Sequence, residues 1–500
     1  METENGLLGI VSKGKGKDFL ELFTLLYIGA KILRQEFLMC DFTFNIPVFT
    51  QFHNLVGVVM LGTGLVLTML NILFETGWRS SKRVVFLYGI SLLDAFASLM
   101  AGGIELEWIK RLVRESITVV LFYCAMKNAK EPLLRQMLHI CYWVALLCWN
   151  MMCCLSLCQF ALMLGHGSSR ISDILLLQGP GFYGHRLFGV FCFPEWGAVT
   201  SVMIMLAGGY YFVSIHRIAE RILLTLCNVP ILFYLVLSGS RNAQLAFYLS
   251  LLLGSGIVCF KRTPAVWHTM SRTLSAMAAA LVVCAGAHLG YIVIQDAAEY
   301  VPGFFSDYSG PLAHKIPVES LSVDEAEEPP EEGTETELRL VERNDTKENF
   351  DSNRFSIWKD YFSLWKEYGV FGLSSTYDSR YIKEHHPDLY ICIYDPETVY
   401  HPHNGYLKTW VSTGFLGVVF LMLFLLGCVK DVWKAIYASK KIPPEMLFPL
   451  LIVVAGCSSA MFDLEIFFVF NTISYIFWLA LGILMKHAEN VNTSQINGKS

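Results

Sequence analysis

The chain carries little charge, and it has no recognisable motif for a metal ion or a nucleotide. Charged side chains make up 16% of its 500 residues. It contains neither an Asp-rich metal motif nor a glycine-rich phosphate loop, so we predict no metal and no cofactor. It also lacks the basic runs that bind nucleic acid. These absences argue against nucleotide-dependent and nucleic-acid-binding classes of protein.

The fourteen cysteines do not indicate a disulfide framework. Most of them lie within apolar runs, where cysteine packs as a small hydrophobic residue. Cys192 and Cys392 lie outside such runs on the same predicted side of a membrane, so they could form one disulfide. No cleavable signal peptide is evident, since Glu21, Lys31 and Arg34 interrupt the first apolar run.

Hydrophobic residues dominate the composition. They make up 54% of the chain, and the mean hydropathy is +0.47, which is typical of a polytopic membrane protein. Apolar stretches of about 20 residues cross a bilayer, so we predict an all-α membrane protein with about 12 transmembrane helices. The predicted spans cover residues 19–39, 53–74, 84–101, 107–126, 137–164, 196–215, 222–239, 243–260, 274–294, 405–429, 447–461 and 466–485.

The loops between these spans predict the orientation of the chain. With a cytoplasmic N-terminus, every basic loop falls on the cytoplasmic side, as the positive-inside rule requires. Both termini are then cytoplasmic. The basic loops cover residues 13–17, 79–83, 127–135, 216–221, 261–272 and 430–441.

This arrangement divides the chain into three segments. Residues 1–296 hold transmembrane helices 1–9, and residues 405–500 hold helices 10–12 and a cytoplasmic tail. Between them, residues 297–404 form a large, partly helical extracytoplasmic loop between spans 9 and 10. Its acidic, proline-interrupted insert covers residues 319–337 and has no Lys or Arg. Aromatic residues at helical spacing predict an amphipathic helix near residues 354–368, on the membrane face or against the bundle. These aromatic residues are Phe355, Trp358, Phe362 and Trp365.

Two histidines and an asparagine stand at the start of the tenth span. Imidazole transfers protons near neutral pH, so His403 is a candidate general base. His401 is a candidate positioning residue, because Pro402 restricts its backbone. The alternative is that these polar residues cap the helix, with Asn404 at or near its N-cap.

Three arginines fall on the same predicted side as His403. Arg241 ends a Ser-Gly-Ser-Arg corner between two spans, Arg354 opens the amphipathic helix, and Arg186 precedes the sixth span. Guanidinium groups bind phosphate through paired hydrogen bonds, so together with His403 they suit a lipid diphosphate that carries a sugar. The alternatives are a snorkelling anchor for Arg241, a solvated charge for Arg354 and an ordinary loop residue for Arg186.

In order and spacing these motifs resemble the O-antigen ligase and polymerase superfamily of membrane glycosyltransferases, of the GT-C type. His403-Asn404, nine residues and then Gly414-Phe415-Leu416-Gly417 is similar to its histidine motif. The corner at Arg241 looks like its Ser-Arg element. Two further segments are similar. Arg354 with Trp358, followed by Gly369-Val370-Phe371-Gly372, looks like its Arg…Trp…Gly segment in the large outer loop, and the segment from Arg186 to Pro194 looks like its Arg-x-x-Gly-x-Phe…Pro element. Glu195, however, stands where the superfamily usually has Asn. The resemblance covers roughly residues 180–480.

The resemblance implies an enzyme at the outer face of the bacterial cytoplasmic (inner) membrane. Its donor would be a glycan on undecaprenyl diphosphate, and its acceptor a glycan or a lipid-linked acceptor within reach of membrane lipid. His403 would be the catalytic base. The arginines would neutralise the leaving diphosphate, so that no metal is required. The substrate-binding residues would be Arg241, Arg354, Arg186, His401 and Asn404.

A lipid-linked glycan flippase or other transporter is the main alternative, and a structural scaffold for polysaccharide assembly is a third. A transporter needs ionisable residues within its spans, and Asp94, Asp463 and Glu465 are candidates. Most polar motifs gather on one predicted face, which favours the enzyme. Ligases, polymerases and protein oligosaccharyltransferases of the superfamily share these motifs.

Overall fold

The described part of the chain is almost entirely helical, as predicted. A computed structural model describes residues 16–74, 82–103, 105–164, 180–183, 185–264, 269–305, 354–393, 399, 401–464, 466 and 469–496. The acidic insert of residues 319–337 and Glu465 lie outside the described residues. The division of the chain at residues 296 and 404 stays a prediction.

The helices follow the predicted spans closely. In the first part of the chain they are α1 (Gly16–Leu38), α2 (Asp41–Asn45), α3 (Pro47–Phe74), α4 (Val84–Met100), α5 (Leu106–Ile117), α6 (Met126–Asn128), α7 (Glu131–Ala161), α8 (Pro194–Ser214), α9 (Ile218–Leu237), α10 (Arg241–Arg262), α11 (Thr269–Ala298) and α12 (Val301–Phe304). An antiparallel hairpin of β1 (Gly181–Tyr183) and β2 (Arg186–Gly189) precedes α8. The second part contains α13 (Arg354–Ser363), α14 (Trp365–Tyr368), α15 (Asp378–His385), α16 (Tyr390–Ile393), α17 (Gly405–Ala438), α18 (Pro444–Ser459) and α19 (Thr472–Ile496).

Seven helical stretches among the described residues are long and apolar enough to cross a membrane. They are α3, α7, α8, α9, α10, α17 and the stretch Thr269–Phe304 that joins α11 and α12. Two shorter apolar helices, α4 and α18, lie beside them. These helices fit a multi-pass membrane protein, while the count of about twelve spans stays a prediction.

The fourth predicted span is not one regular helix, contrary to our expectation. α5 ends at Ile117, and a π-helix occupies Thr118–Ala125. Its residues from Thr118 to Cys124 are all buried. Gly482 of α19 packs directly on this stretch, so that a Cβ there would lie 2.7 Å from the Tyr123 carbonyl oxygen. Hydropathy reports that such residues are apolar, but it does not report the register of their hydrogen bonds.

The last predicted span was placed too early. It was expected from residue 466, but α19 begins at Thr472. The side-chain oxygen of Asn471 accepts a hydrogen bond from the Ser474 backbone N–H at 2.9 Å, which is the contact of a helix N-cap. This polar start was hidden in the sequence by the apolar residues that precede it.

The long loop has a small core of its own, packed on the first turns of α17. The predicted amphipathic helix is divided in two at Leu364, between α13 and α14. Phe355, Phe362 and Trp365 are about half exposed or more, so they are not the residues that this helix packs against the bundle. The residues that are buried instead include Ile357, Tyr361, Leu364 and Tyr368, together with Leu407 and Val411 of α17. Burial raises the pKa of the Tyr361 and Tyr368 phenols.

The disulfide considered between Cys192 and Cys392 is not formed. Both side chains are free thiols. Cys392 is buried in the loop core, whereas the backbone N–H of Cys192 donates to the Met39 carbonyl oxygen at 2.9 Å. The two cysteines therefore belong to separate parts of the fold.

Candidate active site

Asn404 is the N-cap of α17. Its side-chain oxygen accepts hydrogen bonds from the backbone N–H groups of Tyr406, at 3.0 Å, and Leu407, at 2.9 Å. The capping alternative therefore holds for Asn404. Its side-chain oxygen is occupied by the cap, which leaves its side-chain nitrogen to contact a substrate.

His403 does not cap the helix, and it adopts an unusual backbone conformation. Its φ is +42°, in the left-handed region that costs a non-glycine residue roughly 1–2 kcal/mol. Its Nδ1 lies 3.5 Å from the carboxylate oxygen Oδ1 of Asp463, and its side chain is 31% exposed. The imidazole therefore has one edge against a carboxylate and is partly exposed. His401, two residues earlier, is exposed.

Trp358 fixes the backbone that carries the two histidines. Its indole nitrogen donates a hydrogen bond to the Pro402 carbonyl oxygen at 2.8 Å. Arg354 lies four residues earlier on α13, so the two side chains share one face of that helix. The bond from Trp358 to Pro402 therefore brings Arg354 to within about one helical turn of the His403 segment.

The three predicted arginines lie close together. Arg241 is near enough to Arg186 and to Arg354 for both to repel its charge. Arg241 opens α10, and the Ser240 side chain caps that helix by accepting a hydrogen bond from the Ala243 N–H at 3.3 Å. Gly239, with φ +59°, forms the turn that precedes this cap.

The end of α18 joins the arginine corner to the start of α17. Asn242, next to Arg241, donates a hydrogen bond to the Ser459 hydroxyl at 2.9 Å. Ala460, the residue after Ser459, accepts one from the Gly405 N–H at 2.8 Å. Arg241 and His403 therefore lie on adjoining helix ends.

Arg186 has its own partners within this cluster. Its Nε donates to the Ser238 carbonyl oxygen at 2.9 Å, and its Nη2 donates to the Glu195 carboxylate at 2.7 Å. Its side chain also packs against Gly239, where a Cβ would lie 3.4 Å from Arg186 Cγ. Arg186 thus holds in place the turn of residues 238–240 that precedes Arg241. Glu195, which stands where Asn is usual, neutralises much of the charge of Arg186.

The two Gly-x-x-Gly segments meet in a backbone crossing. Gly414 interrupts α17 with φ +65° and ψ −167°. A Cβ on Gly414 would lie 2.4 Å from Val370 backbone atoms, and one on Gly372 would lie 2.4 Å from those of Ser412. Hydrogen bonds join the two segments, from the Phe415 N–H to the Gly369 carbonyl at 3.2 Å and from the Leu373 N–H to the Val411 carbonyl at 2.9 Å. The glycines therefore permit the loop to lie directly on the helix that follows His403.

Residues 226–422 match the family model of the O-antigen ligase. This part of the chain is therefore similar to the O-antigen ligase family. The predicted resemblance to the O-antigen ligase and polymerase superfamily is thereby confirmed. The matched range contains Arg241, Arg354, the histidine motif and the glycine crossing. Arg186, Glu195 and Asp463 lie outside it. None of the curated proteins matches the chain.

Two residues that were considered for a transport pathway have partners within the fold. Asp94 accepts hydrogen bonds from the Ser375 N–H and hydroxyl, each at 2.7 Å, and from the Trp108 indole at 3.0 Å. It thereby ties the loop after the glycine crossing to α4 and α5. Asp463 faces His403. Neither residue requires a transported ligand to account for its burial.

Sequence reasoning missed two contacts of the candidate site. Asp463 was considered only as a transport residue, because nothing in the sequence shows that it lies beside His403. Lys408 and Asp378 form a buried ion pair, which ties α17 to α15 just below the cap. Lys408 could have been suspected, since a lysine one turn inside an apolar helix needs a partner. Asp378 gave no comparable signal.

Proposed function

We propose that this protein is an integral membrane glycosyltransferase that transfers a glycan from undecaprenyl diphosphate to a hydroxyl group of an acceptor sugar. The reaction takes place at the outer face of the bacterial cytoplasmic membrane. The observation that carries the proposal is the convergence of Arg241, Arg354 and His403 on adjoining helix ends. The similarity of residues 226–422 to the O-antigen ligase family supports a lipid-linked donor.

Arg241 and Arg354 bind the diphosphate of the donor. Each guanidinium can give two parallel hydrogen bonds to phosphate oxygens. The two guanidinium groups repel each other, and an anion that lies between them relieves this repulsion. This favours binding of a diphosphate group. Arg186, held by Ser238 and Glu195, positions the corner from which Arg241 extends.

His403 removes the proton from the acceptor hydroxyl. As the proton passes to the imidazole, the hydroxyl oxygen attacks the anomeric carbon of the donor glycan. The bond between that carbon and the diphosphate oxygen breaks, and the electron pair leaves with undecaprenyl diphosphate. The arginines stabilise the charge that develops on the leaving group.

His403→Ala tests the role of the base directly. We expect glycan transfer to fall by about 10²–10⁴-fold, the usual contribution of a general base. His403→Gln should be equally impaired, because an amide cannot take the proton. Transfer from a lipid-linked glycan is measured in membranes that contain equal amounts of each variant.

His216→Ala is the matched control, since His216 lies in the loop between α8 and α9. It should retain wild-type transfer. If His403→Ala retained most activity while His401→Ala lost it, the base would be His401. If both retained activity, the enzymatic role of this segment would be rejected.

A further inference from the structure

We propose that Asp463 is a positioning residue for His403, an inference that rests on the proposed function. The Asp463 carboxylate accepts the Nδ1–H of the imidazole and thereby presents Nε2, unprotonated, to the acceptor hydroxyl. Nε2 then receives the proton and later releases it to water, while Nδ1–H stays with the carboxylate throughout. Asp463 itself neither touches the substrate nor changes protonation.

The first support is the geometry of the pair. His403 Nδ1 and Asp463 Oδ1 are 3.5 Å apart, and the aspartate side chain is only 11% exposed. This separation is somewhat longer than a typical N–H···O hydrogen bond, and catalytic contacts commonly shorten once substrate is bound. A buried carboxylate beside one imidazole nitrogen selects the tautomer in which that nitrogen carries the proton.

The second support is that the carboxylate is itself held in place. Asp463 Oδ1 accepts a hydrogen bond from the Leu464 N–H at 2.7 Å. The Asp463 backbone N–H donates to the Ser459 carbonyl at 3.0 Å, and its own carbonyl accepts from the Gly405 N–H at 3.1 Å. The segment that carries Asp463 is therefore bonded to the first residue of α17, two positions after His403.

The third support is a side chain that contacts both segments. Trp358 donates to the Pro402 carbonyl on one side, and its ring lies 6.1 Å from the ring of Phe462 on the other. Pro402 precedes His403 and Phe462 precedes Asp463. The Trp358 indole thus sets the distance between the two segments. It thereby holds His403, with its left-handed backbone, opposite the Asp463 carboxylate.

Asp463→Asn separates positioning from folding. The Asn side-chain oxygen can still accept the Leu464 N–H, so the local turn is kept, but the negative charge beside Nδ1 is lost. We expect kcat to fall by about 10²–10⁴-fold, since the corresponding change in the Ser-His-Asp triad lies at the upper end of that range. KM for the lipid-linked donor should be nearly unchanged, because the arginines are intact. Asp463→Glu, which restores the charge, should recover part of the loss.

A double-mutant cycle shows whether Asp463 acts through His403. In the His403→Ala background, Asp463→Asn should cause no further loss, since residues that act as a unit are non-additive. Asp431→Asn is the control, because Asp431 pairs with Arg83 at the other end of α17, and it should leave kcat unchanged. The apparent melting temperature of each purified variant shows that it is folded.

Three outcomes would overturn the inference. They are wild-type kcat in Asp463→Asn, a KM effect without a kcat effect, and a further loss when Asp463→Asn is added to His403→Ala. Failure of the proposed function looks different, because His403→Ala would then be active. An inactive His403→Ala with an active Asp463→Asn would reject only the role of Asp463.

Discussion

Gly414→Ala tests whether the backbone crossing holds the loop on α17. At φ +65° and ψ −167°, an alanine costs about 1–3 kcal/mol in backbone strain alone. The new Cβ would also lie 2.4 Å from backbone atoms of Val370, and such overpacking adds about 1–3 kcal/mol. We therefore expect a loss of about 2–6 kcal/mol, since a backbone cannot rotate away as a side chain can. Part of it should appear as detachment of the loop segment that carries Arg354 and Trp358.

The assay compares Gly414→Ala with Gly286→Ala. Gly286 lies in α11, and a Cβ there meets no atom within 4 Å, so its replacement removes a flexible residue and is expected to gain about 0.5–1 kcal/mol. Apparent melting temperatures in detergent should fall for Gly414→Ala and hold or rise for Gly286→Ala. Glycan transfer should fall only in the former. A Gly414→Ala protein as stable and as active as wild type would show that the crossing is not needed.

Two further substitutions probe the arginine cluster. Arg241→Lys should reduce transfer substantially, because one ammonium cannot form the paired hydrogen bonds of guanidinium; full activity in the transfer assay would reject the phosphate clamp. Glu195→Asn should lower KM for the donor severalfold, because it releases Arg186 from its carboxylate partner at 2.7 Å and removes a negative charge near the diphosphate. An unchanged or raised KM would show that the Arg186–Glu195 pair is needed for the shape of the corner.

Hydropathy predicted the helices well where one side of a helix faces lipid. α10, for example, was expected over residues 243–260 and covers Arg241–Arg262. Hydropathy failed where the conformation of a segment is set by its packing against another element, because polarity does not show which residues will be in contact. The π-helix at Thr118–Ala125 lies in close contact with Gly482, and α13 buries Ile357 and Tyr361 while Phe355 and Phe362 are exposed. Such contacts join elements that are far apart in the chain, so no local sequence pattern predicts them.

The individual residues of the candidate site could be predicted from the sequence, but the contacts that bring them together could not. His403, Arg241 and Arg354 could be found because histidine and arginine at span ends suit proton transfer and phosphate binding. Their convergence depends on Trp358, Asn242 and Ser459, whose side chains have many uses and carry no signature. Asp463 was considered only for a transport pathway, since His403, beside which it lies, is 60 positions away in the chain.

The arrangement explains why the histidine motif needs its glycines. His403 and Asp463 stand at the ends of two segments, and Trp358 from the loop contacts both. The loop can do so only if it descends onto α17, where Gly372 and Gly414 let two backbones approach more closely than any side chain allows. The buried Lys408–Asp378 pair then holds α15 of the loop against α17, one turn after the cap. A change at Gly414, eleven residues beyond His403, is therefore expected to act on glycan transfer through the position of Trp358.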